Sequence, residues 1–522
     1  MDNIDTIGID LGTSNSSVAI FINNHAEIIE NNLNSRLIPS YVLFNDNRVI
    51  VGEPALNQNE KNCKNTIFGI KRLIGCNFND DNIQSYIKRL PYTVIDNNNK
   101  PCVQIEFENQ TKRYTPEEIS SIILSEIKKT AEAKLKHTVS NAVITVPAYF
   151  NNAQCEATRR AADMAGLNVL QIINEPSAAA LAYGFNNKIK NKENILVIDL
   201  GGGTYDVSLV SIKKGKYNVI AISGDSHFGG EDFTYCLVDY FIDEIQNKHN
   251  INIYTHPNSK EILSRLRNAC ERAKQNLSIN DYAIIEIVNL FDNISFSSSI
   301  TRKKFEELCS DLIDKLITPI NNVIKDSGLD KSKISDIVLV GGSTRIPKVQ
   351  ETIASHLNKD IKKSINVNEA VAYGAAIQTF NLKGKTAKTR DFLVKNFVPL
   401  SLGTSNGNKM DIIIEKDSEI PVKNTKTYYT TKDNQTSLLI DIYEGDYEKI
   451  GDNKLLGKFY LNKITPAPRG TIKIDITFEV NNNGILKVLA KENGSEKYNA
   501  IIIKNSRARL NQEIIDRTCN IM

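Results

Sequence analysis

Long apolar runs are missing from this sequence of 522 residues. No window approaches the ~18 uninterrupted apolar residues that a transmembrane helix requires, so no membrane span is predicted. Basic and acidic side chains nearly balance, 64 against 61, and no basic run stands out, so bulk charge gives no support for nucleic-acid binding. The N-terminal segment M-D-N-I-D is acidic and leads directly into a predicted strand, which is unlike a signal peptide.

Cysteine pairs of the C-x-x-C kind are also missing. The eight cysteines are scattered along the chain, at Cys63, Cys76, Cys102, Cys155, Cys236, Cys270, Cys309 and Cys519. Such spacing favours reduced thiols over zinc ligands or disulfides. We therefore predict a cytoplasmic location.

The composition is that of an ordinary globular protein with ample core, because 41% of the residues are hydrophobic and 24% are charged. The length predicts about three or four domain-sized units.

The most informative stretch is I-L-V-I-D-L-G-G-G-T-Y-D-V-S-L-V-S-I, residues 195–212. Two β-favouring runs flank three glycines, with Asp199 and Asp206 at the two ends of the turn, which predicts a β-hairpin. Glycine backbone N–H groups can surround an anion, and one or two carboxylates suffice for a hydrated divalent metal. The pattern therefore indicates a metal on a phosphate chain; the alternative is a glycine-rich hairpin without a ligand.

A weaker copy of this motif occupies residues 7–22, where an apolar strand reaches Asp10, and Gly12 and Thr13 form the turn. Two such hairpins in one chain predict two similar halves, each offering one loop to a phosphate chain.

Alternating strands and helices surround the two hairpins, which predicts an α/β sheet architecture. Thr115 and Glu118 form a capping box for a long helix towards Leu135. Glu175 is placed on a loop before a helix over residues 177–183. A strand over 334–340 leads into G-G-S-T-R and a helix. Such a unit exposes the N–H groups of a helix N-terminus and is typical of a nucleotide-binding site, although glycine pairs at such turns also occur for packing alone.

Beyond residue 398 the pattern changes to short alternating strands separated by Gly, Asn and Pro. A basic, non-periodic run over residues 382–390 precedes this region and is interpreted as a linker. We predict an antiparallel β-sandwich of about a hundred residues.

Seven motifs taken together are very specific. They are I-D-L-G-T at 9–13, V-P-A-Y-F at 146–150, I-N-E-P-S-A-A-A at 173–180, D-L-G-G-G-T-Y-D-V at 199–207, G-G-E-D-F at 229–233, V-G-G-S-T-R-I-P at 340–347 and P-A-P-R-G at 466–470. In this order the chain resembles the Hsp70 chaperone family from Ile4 to about Leu510, with a shortened lid.

The resemblance implies a two-lobed, actin/hexokinase-like α/β ATPase domain followed by an antiparallel β-sandwich that binds extended apolar peptides. The corresponding boundaries are 1–384 for the ATPase domain, 385–397 for the linker, 398–505 for the sandwich and 506–522 for a truncated lid helix.

The resemblance also implies the site residues and the cofactors, ATP or ADP with Mg²⁺ and K⁺. Asp10, Asp199 and Asp206 would hold the ions, and Lys71, Glu175, Asp199 and Thr204 would serve catalysis, with Lys71 positioning the attacking water. The nucleotide would contact Gly12, Thr13, Ser14, Gly201, Gly202, Gly203, Gly230, Glu271, Lys274, Ser278, Gly342, Ser343 and Arg345.

In the sandwich, the resemblance places Leu402, Tyr428, Leu438, Ile440 and Ile474 around the peptide groove. Strand alternation alone would predict a role in the sandwich core equally well. The segment 404–410 is interpreted as a short polar loop without the apolar side chain that normally arches over a bound peptide.

Several positions depart from the family pattern. Cys155 and Gln171 replace arginines implicated in interdomain signalling and in engaging the J-domain co-chaperone, and Lys395 and Asn396 alter the linker. These changes call interdomain control and J-domain stimulation into question. In the adenine pocket, Gln275 and Asn368 replace an arginine and an aspartate, which predicts weaker ATP affinity. The reduced lid predicts fast peptide exchange.

The leading hypothesis is an ATP-hydrolysing chaperone that transiently binds exposed hydrophobic segments, with a J-domain co-chaperone and a nucleotide-exchange factor as further partners. One alternative is an Hsp70-like regulator or nucleotide-exchange partner with weakened coupling. Another is a small-molecule kinase, for which the β-sandwich would have no purpose.

Overall fold

The computed structural model describes residues 5–187, 189, 191–213, 216–361, 365–383, 394–395, 398, 400–416, 418–481, 486–495 and 498–503. These residues divide into two compact units. Those within 1–149 and 158–394 form the first unit, and those within 150–157 and 395–511 form the second.

Strands account for both hairpins predicted from the sequence and for the C-terminal β-region. They are β1 (Thr6–Asp10), β2 (Asn15–Ile22), β3 (His25–Ile28), β4 (Ile38–Pro39), β5 (Val42–Asn45), β6 (Arg48–Val51), β7 (Thr66–Ile67), β8 (Thr93–Asp96), β9 (Pro101–Phe107), β10 (Gln110–Tyr114), β11 (Asn141–Val146), β12 (Asn168–Asn174), β13 (Glu193–Leu200), β14 (Tyr205–Lys213), β15 (Lys216–Asp225), β16 (Tyr282–Phe291), β17 (Ile294–Thr301), β18 (Asp336–Val340), β19 (Val394–Lys395), β20 (Leu402–Asn406), β21 (Lys409–Ile414), β22 (Val422–Tyr429), β23 (Ser437–Glu444), β24 (Lys454–Asn462), β25 (Lys473–Val480), β26 (Leu486–Glu492) and β27 (Tyr498–Ile503).

The helices fall between residues 53 and 383 of the described chain. They are α1 (Glu53–Gln58), α2 (Asp81–Ile87), α3 (Pro116–Leu135), α4 (Asn152–Met164), α5 (Glu175–Asn187), α6 (Gly230–His249), α7 (Ser259–Leu277), α8 (Arg302–Leu308), α9 (Ser310–Lys315), α10 (Ile317–Ser327), α11 (Pro347–Leu357) and α12 (Ala370–Lys383). Short 3₁₀ turns occupy Ile70–Arg72, Ile253–Thr255, Lys331–Lys333, Gly342–Arg345 and Ile450–Asp452. None of the described helices is long and apolar enough to cross a membrane.

The first unit contains two sheets with the same arrangement at their centres. In one, the antiparallel hairpin β1–β2 is extended by β11 and β12, which run parallel to β1. In the other, the antiparallel hairpin β13–β14 is flanked by β18, which runs parallel to β13, and by β15. Both predicted hairpins are therefore confirmed, and each has a parallel neighbour on its first strand.

Helix α3 follows the sequence prediction closely. The Thr115 hydroxyl accepts a hydrogen bond from the Glu118 N–H at 3.2 Å, and the Glu118 carboxylate accepts one from the Thr115 N–H at 2.7 Å. This reciprocal capping satisfies two backbone donors that the helix itself cannot pair.

Two local predictions are wrong. Helix α5 begins at Glu175, so this residue lies in a helical first turn and not on a loop. Pro176 is compatible with that turn, because the first helical N–H groups have no partner within the helix. Residues 404–406 and 409–410 belong to strands β20 and β21, so the interpretation of 404–410 as one polar loop is also wrong.

The second unit contains two four-stranded antiparallel sheets, in the orders β21–β20–β23–β24 and β22–β25–β26–β27. Alternate residues of both sheets point into one shared apolar core, which includes Leu402, Ile442, Phe478 and Val488. The predicted lid helix over 506–522 and the linker residues 385–393 lie outside the described residues.

Candidate functional site

A cleft of about 1260 Å³ opens in the first unit, lined by residues of both hairpin turns. The turn after β1 contributes Gly12, Thr13 and Ser14, and the turn between β13 and β14 contributes Gly201, Gly202 and Thr204. The volume is that of a site for a sizeable small molecule.

The two hairpin turns face each other closely. A Cβ atom on Gly202 would lie 2.1 Å from the Ser14 Oγ atom, so a larger residue here would force the Ser14 side chain to move. The β13–β14 turn is itself closed by a 3.0 Å hydrogen bond from the Gly201 N–H to the Thr204 carbonyl. The glycine requirement therefore comes from the close approach of the opposite turn as well as from the turn itself.

A third glycine turn follows β18. Gly341 has a φ of 82°, and a Cβ atom there would lie 2.3 Å from the Leu200 carbonyl oxygen. The next residues form the 3₁₀ turn Gly342–Arg345, in which the Ser343 hydroxyl donates to the Gly201 carbonyl at 2.9 Å. This contact ties the β18 turn to the central hairpin at the mouth of the cleft.

Acidic residues collect beneath the opposed turns: Asp199 and Asp206 are buried, and Asp10 is partly buried. Asp199 and Asp206 are partners in the β13–β14 register, and Asp10 ends β1. Burial, together with the charge of Glu175, raises the pKa of Asp10 from 3.8 to about 7. The same causes raise the pKa values of Asp199 and Asp206 well above the usual range.

A buried ion pair stands beside these carboxylates. The Lys71 ammonium donates to the Glu175 carboxylate at 2.5 Å, and both side chains are almost fully buried. The positive charge of Lys71 acts to lower the pKa values of Asp10, Asp199 and Asp206. Since the carboxylates nevertheless keep raised pKa values, one ammonium does not balance them.

The acidic cluster fits a hydrated cation. The Oδ2 atom of Asp206 is buried and has no hydrogen-bond partner among the described residues. The atoms of the cluster that could bind a metal ion are all carboxylate oxygens, the ligands that Mg²⁺ prefers. No three carboxylate, histidine or cysteine side chains in the described ranges come together as a direct metal site. The cluster therefore suits an ion that also takes ligands from water and phosphate.

Helices α6 and α7 supply a polar wall on another side of the cleft. Lys274 donates to the Gly230 carbonyl at 2.7 Å and pairs with Glu271 at 2.8 Å. Although burial acts to raise it, the pKa of Glu271 is lowered to about 2 by the Lys274 charge and by hydrogen bonds from Lys274 and Thr234. Gln275 donates to the same carboxylate at 2.9 Å.

Most of the predicted nucleotide and catalytic residues line this single cleft. They are Asp10, Gly12, Thr13, Ser14, Lys71, Glu175, Asp199, Gly201, Gly202, Thr204, Glu271, Lys274, Ser278, Gly342, Ser343 and Arg345. The remaining three adjoin it: Asp206 pairs with Asp199, the Gly230 N–H donates to the Gly201 carbonyl at 2.9 Å, and the Gly203 carbonyl accepts from Arg72 at 3.2 Å.

The sequence interpretation missed a buried network at the same cleft. Arg267 of α7 donates to Glu231 of α6 at 2.7 Å and to the Tyr41 hydroxyl at 3.2 Å, and all three line the cleft. The G-G-E-D-F motif contains Glu231, but no local pattern links it to residues so distant in the sequence.

The predicted peptide-groove residues lie in the second unit. Leu402, Ile440 and Ile474 are fully buried in its shared core, whereas Tyr428 and Leu438 are partly buried and pack against that core. The Tyr428 hydroxyl donates to Asp411 at 2.8 Å. Three of the five therefore have the packing that strand alternation alone predicts.

The departures from the family pattern have different surroundings. Gln171 is buried in β12 and accepts a 2.7 Å hydrogen bond from Gln378. Gln275 and Asn368 line the cleft. The Cys155 thiol lies 3.8 Å from the Phe150 carbonyl oxygen, Lys395 belongs to β19, and Asn396 lies outside the described residues.

Opposed glycine turns above acidic residues, with a lysine–glutamate pair beside them, are the arrangement expected of a protein that binds phosphate groups together with a cation. The family model described as "Hsp70 protein" matches residues 6–521. Over 514 residues the chain is 48% identical to "Heat shock 70 kDa protein" of Emericella nidulans, covering 98% of this chain and 79% of that protein. It is 49% identical over 519 residues to "Heat shock cognate 70 kDa protein 3" of Dictyostelium discoideum, covering 98% and 82%.

The chain therefore belongs to the Hsp70 family, and it is a molecular chaperone that binds and hydrolyses ATP. It has the two parts of this family, an ATPase domain and a β-sandwich. As in the family generally, its ligands are ATP or ADP with Mg²⁺, and its partners are unfolded polypeptides and co-chaperones. The alternatives of a regulator and of a small-molecule kinase are not favoured by these relatives.

Proposed function

We propose that the phosphates of ATP lie between the two glycine turns, with Asp10, Asp199 and Asp206 holding hydrated Mg²⁺ and K⁺. The oxygen-only acidic cluster supports this assignment, because burial and the charge of Glu175 raise the pKa values of its carboxyl groups, and a bound cation would favour their ionised forms. Bound Mg²⁺ supplies charge neutralisation to the phosphate oxygens. Thr13, Thr204 and the N–H groups of Gly202 and Gly203 contact the phosphates. Gly12 and Gly201 adjoin them, with their own N–H groups bonded to the Ser16 hydroxyl at 3.2 Å and to the Thr204 carbonyl at 3.0 Å.

The pair Lys71–Glu175 orients the water that attacks the γ-phosphorus. Glu175 holds the Lys71 ammonium at 2.5 Å, which orients the positive charge towards a water oxygen and a phosphate oxygen. As the water oxygen bonds to phosphorus, the bond to the bridging oxygen of ADP breaks, and the water proton passes to phosphate. Little covalent help from the protein is needed, because this transition state requires positioning and charge stabilisation.

The nucleoside part lies between the α6–α7 wall and the β18 turn. Gly230, Glu271, Lys274, Ser278, Gly342, Ser343 and Arg345 contact it there. The Lys274–Glu271 ion pair at 2.8 Å and the hydrogen bond from Lys274 to the Gly230 carbonyl at 2.7 Å hold this polar wall together. Gln275 and Asn368 offer less stacking and charge than arginine and aspartate, which supports a lowered affinity for ATP.

The β-sandwich binds extended hydrophobic segments, with Tyr428 and Leu438 as the partly buried contacts and Leu402, Ile440 and Ile474 beneath them. The ATPase domain comprises residues 1–384 and has two lobes of the actin/hexokinase kind; the linker comprises 385–397, the sandwich 398–505 and a lid helix 506–522. A J-domain co-chaperone and a nucleotide-exchange factor are the proposed regulators, with Gln171 and Cys155 weakening the coupling. The proposed location is cytoplasmic, which the absence of disulfides among the seven described cysteines supports.

The observation that supports the catalytic proposal most directly is the buried Lys71–Glu175 pair beside the acidic cluster. Replacing Lys71 by alanine should leave nucleotide binding nearly intact and lower single-turnover hydrolysis by about 10²–10³-fold, the usual cost of losing one preorganised electrostatic group. Fluorescent ADP titration and phosphate release measure the two effects. Lys64→Ala, at an exposed lysine in the same segment, is the matched control and should leave both unchanged.

An unchanged hydrolysis rate in Lys71→Ala would overturn the assigned role. Loss of nucleotide binding together with loss of thermal stability would show instead that the lysine serves the fold.

A further inference from the structure

Two fully buried serines meet behind the turn that follows β1. Ser16 lies in β2, and Ser40 comes directly after β4. Their Oγ atoms lie 3.0 Å apart. Both are also bonded to the turn: the Gly12 N–H donates to the Ser16 Oγ atom at 3.2 Å, and the Ser40 hydroxyl donates to the Gly12 carbonyl at 2.8 Å. Neither serine is among the residues that line the cleft.

The hydrogen bonds between these three residues form a closed ring. A serine hydroxyl has one proton to donate and two lone pairs that can accept. Because the Ser40 proton goes to the Gly12 carbonyl, the Ser16 hydroxyl donates to the Ser40 Oγ atom. The bonds therefore run in one direction, from the Gly12 N–H to Ser16, from Ser16 to Ser40, and from Ser40 back to the Gly12 carbonyl. This serine ring gives both buried hydroxyls a partner without water.

The backbone around Ser40 is held independently of its hydroxyl. The Ser40 N–H donates to the Ser14 carbonyl at 2.9 Å, and β2 pairs with β4 beside it. Removing a hydroxyl from either serine would therefore open the ring and leave these backbone bonds in place.

The ring sets the orientation of the peptide group between Gly12 and Thr13. This group is planar and trans, so its carbonyl and its N–H point in opposite directions. Since Ser40 holds the Gly12 carbonyl on the buried side, the Thr13 N–H points to the other side, where Thr13 lines the cleft. Only glycine fits at position 12, because a Cβ atom would lie 1.9 Å from the Asn15 carbonyl oxygen. Glycine restricts its own backbone least, so the restraint has to come from other residues.

We propose that Ser16 and Ser40 are positioning residues of the phosphate site: the serine ring holds the Gly12–Thr13 peptide group so that its N–H points at the phosphates of ATP and ADP. This role rests on the proposed function, in which the phosphates lie between the two glycine turns. A donor that is already fixed binds an anion more tightly than a freely rotating one, because less conformational freedom is lost on binding.

The test compares two ligands on the full-length protein by isothermal titration calorimetry: ADP with Mg²⁺, and adenosine, which has no phosphates. Ser16→Ala and Ser40→Ala each open the ring and should lower ADP affinity by about tenfold, the scale of a lost hydrogen bond. Adenosine affinity should stay at the wild-type value. Ser17→Ala is the matched control, because it removes a buried β2 hydroxyl that has no hydrogen-bond partner among the described residues. It should leave both affinities unchanged.

The double variant tests the ring itself. Because either substitution opens the same ring, Ser16→Ala combined with Ser40→Ala should bind ADP about as well as the weaker single variant. Independent contributions would instead multiply to about a hundredfold loss, and that result would contradict the ring.

A role in the fold alone gives a different result. If both single variants lose ADP and adenosine affinity equally, or lose neither, the proposal is overturned, because serines that serve only the fold affect the two ligands alike.

Thr13→Ala separates this role from the phosphate site on which it rests. If Thr13→Ala keeps the wild-type preference for ADP over adenosine, the phosphates do not lie at this turn, and the proposed site fails together with the role of the serines. If Thr13→Ala loses that preference while both serine variants keep it, the site stands and only the role of the serines fails.

Discussion

Asp10 shows how one partly buried residue makes cation binding depend on pH. In the folded, cation-free protein, burial and Glu175 raise its pKa from 3.8 to about 7. A raised carboxyl pKa contributes stability that is present below pH about 4 and is lost as the pH rises through about 7. A cation binds the ionised form, so its stabilising effect grows over the same interval.

We therefore predict that Mg²⁺ with ADP raises the melting temperature more at pH 8 than at pH 6. Protonation of Asp10 should weaken apparent Mg²⁺ affinity on the order of tenfold across this interval. Differential scanning fluorimetry of wild type and Asp10→Asn measures it. The nucleotide's own titration affects both proteins, so only the extra pH dependence of the wild type belongs to Asp10. Equal pH dependence in the two proteins would contradict the prediction.

Gly202 and Gly201 are neighbours with different steric surroundings. A Cβ atom on Gly202 would meet the Ser14 Oγ atom at 2.1 Å, whereas one on Gly201 would find its nearest atoms at 3.7 Å. Gly202→Ala should therefore destabilise the nucleotide-free protein by about 1–3 kcal/mol, the usual cost of overpacking. Gly201→Ala should stay within about 0.5 kcal/mol.

Urea unfolding of both variants checks this difference. Ser14→Gly removes the obstructing side chain and should restore most of the stability lost in Gly202→Ala. If the double variant is no more stable than Gly202→Ala, contact with Ser14 is not the reason for the glycine.

At this scale the sequence motifs predicted the chemistry of the turns but not their surroundings. Asp10, Asp199 and the glycines belong to short local motifs, which can be recognised from the strand–turn–strand pattern of the sequence alone. Arg267 and Tyr41 lie 226 residues apart and meet only because the chain folds back across the cleft. No spacing rule in a single sequence links such residues.

At the scale of single elements, α3 tests whether a capping box matters in a large domain. Thr115→Ala removes the hydroxyl that accepts from the Glu118 N–H and leaves this donor unpaired at a nearly buried helix end. The expected loss of unfolding free energy is about 1 kcal/mol. Thr93→Ala, at an exposed strand position, is the matched control. Equal losses in the two variants, measured by urea unfolding, would show that the box is not a source of stability here.

Element boundaries were predictable where caps are local and failed where pairing partners are distant. Thr115 and Glu118 fix the start of α3 within four residues of sequence. The polar residues Thr404 and Ser405 were interpreted as a loop because polarity and Gly407 suggest one. They pair instead with Asp411 and Met410, and Asp441 accepts hydrogen bonds from both hydroxyls. That partner lies in another strand, which local polarity does not reveal.

At the scale of the whole molecule, each compact unit has an apolar core of its own. The core of the second unit is built from residues between Val398 and Ala490 together with side chains packed against it, and all cleft residues belong to the first unit. Separate cores predict separate cooperative unfolding. The change in pattern near residue 398 indicated this division from the sequence, because strand alternation replaces the mixed helices and strands there.

ADP with Mg²⁺ should therefore stabilise one unfolding transition and leave the other unchanged. Ligand that binds only the native first unit adds RT ln(1 + [L]/Kd), about 2.7 kcal/mol at a hundredfold excess over Kd. Scanning calorimetry should show two transitions, of which only the one assigned to the first unit moves to higher temperature with ADP.

Lys71→Ala, which is expected to keep its nucleotide, should show the same shift. Lys274→Met removes the ammonium that holds both Glu271 and the Gly230 carbonyl, and its shift should be much smaller. A single transition that moves as a whole would mean that the two cores unfold together, and a full shift in Lys274→Met would mean that the α6–α7 wall does not hold the nucleotide.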